Sequence, residues 1–210
     1  IASLPQNPES HAQILMERFL TVRAATVART IGLSDADATV QSMEDASPAK
    51  WHLAHTTWFF ETFILRDHVK GYQHFRDGFD YLFNSYYEAE GDRHARAARG
   101  LLTRPSLERI IAYRHHVDAA IAAGFGALPA EALKLVELGI HHEQQHQELL
   151  LTDIKHALFQ NPLGPAMWER GGHAATAQPD GWHAHPGGVA RIGHQEPGFA
   201  FDNEGPAHRV

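Results

Sequence analysis

With 210 residues, 43% of them hydrophobic, the chain is long enough for one domain with a buried core plus a small additional piece. Its formal charge of −7, from 18 basic and 25 acidic residues, and the lack of any Lys/Arg block argue against a nucleic-acid or anionic-membrane partner. Cysteine is absent, which excludes a disulfide framework, a zinc ribbon and a thiol nucleophile, and a reduced cytoplasmic setting is the expectation.

No run approaches the ~18–20 apolar residues of a membrane span, and the N-terminus lacks a charged-then-apolar leader pattern. In chain order, Ser10 to about Thr30 places Ile14, Leu15, Phe19, Val22 and Val27 at helical spacing, with Gly32 as a stop. A second helix is predicted from Ser47-Pro48 to about Val69, with serine as N-cap and proline in the first turn. Trp51, Trp58, Phe59, Phe60 and Phe63 within it read as core. Residues 71–104 lose periodicity but keep many aromatics, Tyr86 and Tyr87 among them, the mark of a packed and functional connection. A third helix is predicted from Pro105-Ser106 to Gly124, and a fourth from Pro129 to just before Asn161-Pro162. Four long helices with one long crossover make an all-α bundle, placed at residues 1–163. Gly, Pro, His and Ala then dominate, and short strands and turns are expected toward Val210. Residues 164–210 therefore read as a linker and the opening of a second domain.

Histidine is the unusual component, at 17 residues, and position must decide which serve as ligands. Residues 142–146 form a literal H-E-x-x-H, the string of zinc peptidases. On a helix His142 and His146 lie one turn and about 40° apart, so both can reach one metal ion. Glu148 falls about 200° around from His146, and Asp153 returns to within about 20° of His142 three turns further on. Asp153 is too far along the axis to share the metal but can support a lining residue. Glu143 is expected to be near the ligands or solvated. A third ligand is expected from the second helix, as His55 or His52, because bundle metals lie between facing helices. The peptidase reading is disfavoured: the metzincin pattern requires glycine at 149 and histidine at 152, where Leu149 and Thr152 stand, a glutamate ligand at Glu169 would fall in a Gly/Pro-rich stretch, and His55 and its helix would be left unexplained. Three neutral histidines suit Zn or Fe(II) equally. Arg96 and Arg99, three apart, can clamp one carboxylate if that segment is helical.

Four strings together resemble the sulfoxide synthases of ergothioneine biosynthesis: SPAKWHLAHTTWFFETFIL, FNSYYEAEGDRHARAARGLLTRPS, LGIHHEQQHQELLLTDIKHAL and GFAFDNEGPAHRV. The resemblance implies a DinB-like four-helix bundle followed by the truncated beginning of a formylglycine-generating-enzyme-like, C-type-lectin-like α+β domain. It implies that His55, His142 and His146 bind Fe(II), with Zn, Ni or Mn able to take the same donors. Arg96 and Arg99 match the arginines that hold the thiol substrate's carboxylates, and Tyr86 and Tyr87 would line the same pocket. Glu148 completes the family's HxxxHxE signature; it, His52 and Asp153 are assigned supporting positions behind the ligands. The implied reaction joins a thiol (γ-glutamylcysteine or cysteine) to C2 of the imidazole of hercynine, a trimethylated histidine betaine, with O2 as oxidant. Related enzymes use a selenosugar or build ovothiol, and a non-catalytic DinB-like metal-binding module is the plainer alternative. The family's acid/base tyrosine lies in the second domain, beyond Val210, so this chain alone is expected to bind metal and show little or no turnover.

Overall fold

The computed structural model describes residues 8–85, 87–168, 181–182, 184–195 and 197–210, so part of the expected linker lies outside the described residues. Two compact units divide the chain between Trp168 and Glu169. The first is the helical unit. It comprises α1 (Pro8–Ala28), α2 (Asp35–Thr39), α3 (Ala49–Phe60), α4 (Phe79–Phe83), α5 (Leu107–Gly124) and α6 (Ala130–Phe159). Helices α1, α3, α5 and α6 form the bundle, with α6 packed on α1 and α3, and α3 packed on α5.

Each long helix contributes an apolar stripe at i, i+3/i+4 spacing, which is what drives the four together. Leu15, Phe19 and Val22 come from α1; Ile110, Tyr113, Val117 and Ile121 from α5; Val136 and Ile140 from α6. Ile14, one of the apolar residues at helical spacing, is 44% exposed, because the buried stripe runs through Leu15, Phe19 and Val22 and leaves Ile14 to one side. Helix α3 is buried along its whole length, as expected of the central element of a bundle rather than an amphipathic outer one. Past Phe60 it widens into a π-helical segment, Glu61–Arg66. There Glu61 is buried, and its carboxylate accepts from the Tyr72 and Tyr113 hydroxyls and the Phe75 N–H.

The starts of α2 and α5 have local chemical causes. The Ser34 hydroxyl accepts from the Asp37 N–H while the Asp37 carboxylate accepts from the Ser34 N–H, a reciprocal cap that closes α2. Ser106 caps α5 by accepting from the Arg109 N–H. Both α2 and α4 are absent from the sequence-based expectation: at five residues each they are too short to show a period. The 71–104 crossover thus contains α4 and two short stretches of tighter helix, Glu88–Glu90 and Arg96–Leu101.

Close approach of α6 to α3 depends on Gly139. A Cβ built there would meet Phe60 Cε1 at 2.6 Å and Phe59 Cε1 at 2.9 Å, both atoms of fully buried rings that cannot swing away. Gly139→Ala is therefore expected to destabilise by about 1–3 kcal/mol from overpacking, despite the ~1 kcal/mol that alanine gains in helix propensity. A lower urea midpoint would bear this out; a higher one would contradict it.

In the second unit, β1 (Arg191–Ile192) pairs antiparallel with β2 (His208–Arg209), Arg191 opposite Arg209 and Ile192 opposite His208. Gly193 follows at φ +108°, and a Cβ there would lie 2.9 Å from the Pro206 carbonyl oxygen, so only glycine fits. Strands and turns are present here, as the composition predicts; among the described residues the sheet has these two strands.

Candidate metal centre

His55 on α3 and His142 and His146 on α6 each offer one ring nitrogen, and these donor atoms lie within 4.8 Å of one another. The helix-turn spacing on α6 and the adjacent position on α3 bring them together across the α3–α6 interface. His55 is clamped: its ring stacks on Trp51 at 4.6 Å between centroids and on Trp58 at 5.7 Å. Its Nδ1–H donates to the Phe83 carbonyl at 2.6 Å. His142 Nδ1 is buried with no hydrogen-bond partner, an orphaned polar atom of the kind that a bound ion accounts for. Three neutral nitrogen donors with positions left open are a catalytic-type donor set for Zn or Fe(II). The residues present therefore fit a divalent metal ion.

Charge state supports this. Burial pushes the His142 imidazole down to about 4, the neighbouring Glu143 opposing only in part. Burial, and then the other imidazoles, hold His55 and His146 well below the ordinary histidine value. His52 is also lowered by burial, against the opposing pull of Asp153. All four rings are neutral at pH 7, the form that binds metal. In the unfolded chain the same rings titrate near 6.5. Between about pH 6.5 and 4 the unfolded chain therefore binds more protons than the native one, and stability rises with pH. The metal-free protein is expected to lose stability progressively as pH falls from 6.5 toward 4; urea midpoints that are flat across that window would refute this.

Behind the trio, His52 Nδ1 lies 2.9 Å from His146 Nδ1, and His52 Nε2 lies 3.0 Å from Asp153 Oδ2. The Ser47 N–H also donates to Asp153 Oδ2, at 2.8 Å. Of the two histidines that the sequence leaves open on α3, His55 faces the donor cluster and His52 stands behind it.

The trio borders a cavity of about 350 Å³ whose other walls include Ser47, Ser85, Tyr87, Arg96, Arg99 and Gln145, within the size range of small-molecule sites. Arg96 and Arg99 lie in the tight helical segment Arg96–Leu101, where residues three apart eclipse, and both line this one cavity. Their environments differ. Arg99 is buried, donates to the Ser47 and Ser85 hydroxyls at 2.9 and 3.1 Å, and lies 3.4 Å over the Trp51 ring. Arg96 is exposed and donates to the Asp45 carbonyl. Tyr87 is half-buried against Trp58 and Phe63, and burial raises its phenol above the ordinary value. Tyr86 lies outside the described residues. Trp51 serves two ends at once, as core residue and as the ring against which both His55 and Arg99 lie.

Two sequence-based assignments need correction. Glu148 does not support the ligands: it is exposed and absent from the cavity wall, because six residues past His142 the helix has turned it to the outer face. Glu143 is neither solvated nor near the donors' open side. It is fully buried, with Oε2 accepting from Arg23 Nη1 at 2.9 Å and Oε1 from Arg114 Nη2 at 2.7 Å and the Thr26 hydroxyl at 2.6 Å. Burial alone would raise its pKa, but the two guanidiniums outweigh that and hold it down at about 2. A peptidase base must reach a metal-bound water; this carboxylate is fully engaged elsewhere. The signal was available: Val136, Ile140, Glu143, Gln147, Leu150 and Ile154 form one buried i+3/i+4 stripe on α6, and a carboxylate inside such a stripe requires a buried cation.

Among the described residues no helix is long and apolar enough to cross a membrane. No curated protein matches the chain. Residues 18–150 match the family model described as the DinB superfamily, a span that holds α3, α5 and all three clustered histidines. That match covers more than half of the 210 residues, and the helical bundle with a three-histidine site between its helices agrees with it: the chain belongs to the DinB superfamily.

Proposed function

We propose that this bundle is the metal-binding part of an iron- and O2-dependent sulfoxide synthase that joins a thiol to the imidazole of hercynine in ergothioneine biosynthesis. On this reading residues 164–210 open a formylglycine-generating-enzyme-like, C-type-lectin-like domain. The observation that carries the reading is the convergence of His55, His142 and His146 on a cavity that Arg96, Arg99 and Tyr87 also line. Two guanidiniums on the wall of the cavity that holds the three histidines suit a thiol substrate bearing carboxylates.

The balanced change is R–SH plus imidazole C–H plus O2 giving the sulfoxide R–S(O)–imidazole and water. Iron held by the three histidines would supply the redox chemistry for it. The protein's own contribution is placement. Arg99, fixed by two serine hydroxyls and the Trp51 face, presents positive charge for a substrate carboxylate without further ordering, which lowers the entropic cost of bringing substrates together. The Trp51 and Trp58 faces hold His55 in one orientation.

The test is anaerobic Fe(II) reconstitution of the protein in its full natural length, followed by O2 uptake with hercynine and γ-glutamylcysteine. Uptake coupled to sulfoxide formation is the expected result. Uptake only with a selenosugar donor, or only with histidine as acceptor, would move the assignment to a selenoneine- or ovothiol-type relative. No uptake with any of these would leave a metal-binding DinB module without this chemistry.

A further inference from the structure

We propose that Asp153 and His52 are positioning residues that fix the tautomer of His146, leaving its Nε2 lone pair toward the three-histidine cluster. The inference deepens the metal reading of the site and rests on it for its purpose, but the hydrogen-bond chain stands on geometry alone. A carboxylate oxygen can only accept. Asp153 Oδ2 takes the Ser47 N–H at 2.8 Å and faces His52 Nε2 at 3.0 Å, so that ring nitrogen carries a proton. A neutral imidazole has one donor and one acceptor nitrogen, which makes His52 Nδ1 an acceptor. It lies 2.9 Å from His146 Nδ1, and a contact this short between two nitrogens needs one proton between them. His146 must supply it. Its Nε2 is then unprotonated, as a ligand nitrogen has to be.

The helix geometry makes this chain possible. Asp153 is seven residues beyond His146 on α6, hence on nearly the same face two turns along. His52 bridges the gap from α3, and Ser47, just ahead of α3, steadies the carboxylate from the other side. All the side chains in the chain are at least largely buried: His52 is 2% exposed, His146 9%, and the Asp153 side chain 13%. Water competes little for their hydrogen bonds. The second ligand from the facing helix reaches the same polarity by a different device, since a carbonyl also only accepts and the Phe83 carbonyl holds the His55 Nδ1–H. A neutral histidine side chain free in water favours the opposite tautomer, with the proton on Nε2. The two contacts thus set two of the three ligands against their solution preference before any ion arrives.

Two variants separate positioning from packing. His52→Leu keeps the bulk and removes the acceptor. His52→Gln retains both functions, its amide oxygen accepting from His146 and its amide N–H donating to Asp153. Imidazole 15N NMR of the metal-free protein reads the tautomer directly. Nδ1–H at His146 is expected in the wild type and in His52→Gln, with a shift toward Nε2–H in His52→Leu. Zn(II), which is redox-inert, then serves as the probe in competition titrations with a chromophoric chelator. His52→Leu is expected to bind about 10–100-fold more weakly, the usual penalty for losing a hydrogen-bond partner of a ligand, and His52→Gln to stay close to wild type. An Nε2–H tautomer at His146 in the wild type would overturn the proposal, as would equal Zn(II) affinity in all three proteins. Should His52→Leu not fold, the wild-type tautomer decides alone. None of these measurements uses substrate or O2, so failure of the synthase reading leaves them intact.

Discussion

Glu143→Gln is expected to destabilise the protein by about 3–5 kcal/mol, the range for removing one partner of a buried ion pair. The carboxylate is the only acidic partner of Arg114 among the described residues, and Arg114 is itself fully buried. Arg23 retains Asp118 at 2.6 Å, so the cost falls mainly on Arg114. Its other contacts are the Leu53 and Arg23 carbonyls and the Thr56 and Thr57 hydroxyls, which engage its two terminal nitrogens, while Nε is buried with no hydrogen-bond partner and the charge is not balanced by any of them. The loss should appear as a lower urea midpoint at pH 7. Combining Glu143→Gln with Arg114→Met removes both charges and should cost less than the sum of the two single changes, because neither variant then strands an ion. Strict additivity would show that the pair is not coupled. A peptidase glutamate would behave otherwise, its replacement abolishing activity while leaving stability nearly untouched.

The second large effect concerns the ligands. Structural zinc sites bind with roughly 10–16 kcal/mol over four ligands, so each ligand is worth about 2.5–4 kcal/mol. His55→Ala, His142→Ala and His146→Ala should each weaken divalent-metal binding by about 10²–10³-fold. Glu148→Ala, on the exposed face of α6, should leave affinity unchanged although Glu148 belongs to the same HxxxHxE string. Metal also stabilises the wild type by mass action, about 2.7 kcal/mol at a hundredfold excess over Kd, and the three alanine variants should lose that increment. Equal loss on Glu148→Ala would place the carboxylate in the site and refute the geometry given for it. A melt series with and without Zn(II) measures all four.

The buried charge cluster and the metal site share α6 and face different ways. His142 and His146 look toward α3, while Glu143 and Gln147 look toward α1, where the Gln147 amide donates to the Val22 carbonyl and the Thr26 hydroxyl. Helix α6 is thereby held on both flanks by polar contacts that only one rotation satisfies. A slip of one residue about its axis would strand both the histidines and the ion cluster, so the polar groups specify the geometry that the apolar stripe alone leaves loose.

What the sequence by itself determined is whatever repeats along one helix. The four long helices follow from apolar spacing, and the ends of the first, third and fourth differ from expectation by a residue or two, as fraying ends do. The second departs further: Pro48 rather than Ser47 is its N-cap, with no side-chain hydrogen bond, and after Phe60 it gives way to the π-helical segment Glu61–Arg66, short of the expected Val69. The His142–His146 pair follows from one helical turn, and Asp153 from three. Glu148 could be placed by the same arithmetic, which already turned it away from the histidines; the family-like string obscured that. What only the tertiary structure decided is every choice made across helices. His55 rather than His52 meets the α6 pair, because Trp51, Trp58 and the Phe83 carbonyl hold it there. Arg99 is buried and Arg96 exposed, though they stand three apart in one short segment. Glu143 finds its cations on α1 and α5, 120 and 29 residues away. Periodicity fixes which residues share a face, since it is set by backbone geometry alone. Which face meets which is settled only when the packed helices exclude water and each buried charge must find its partner.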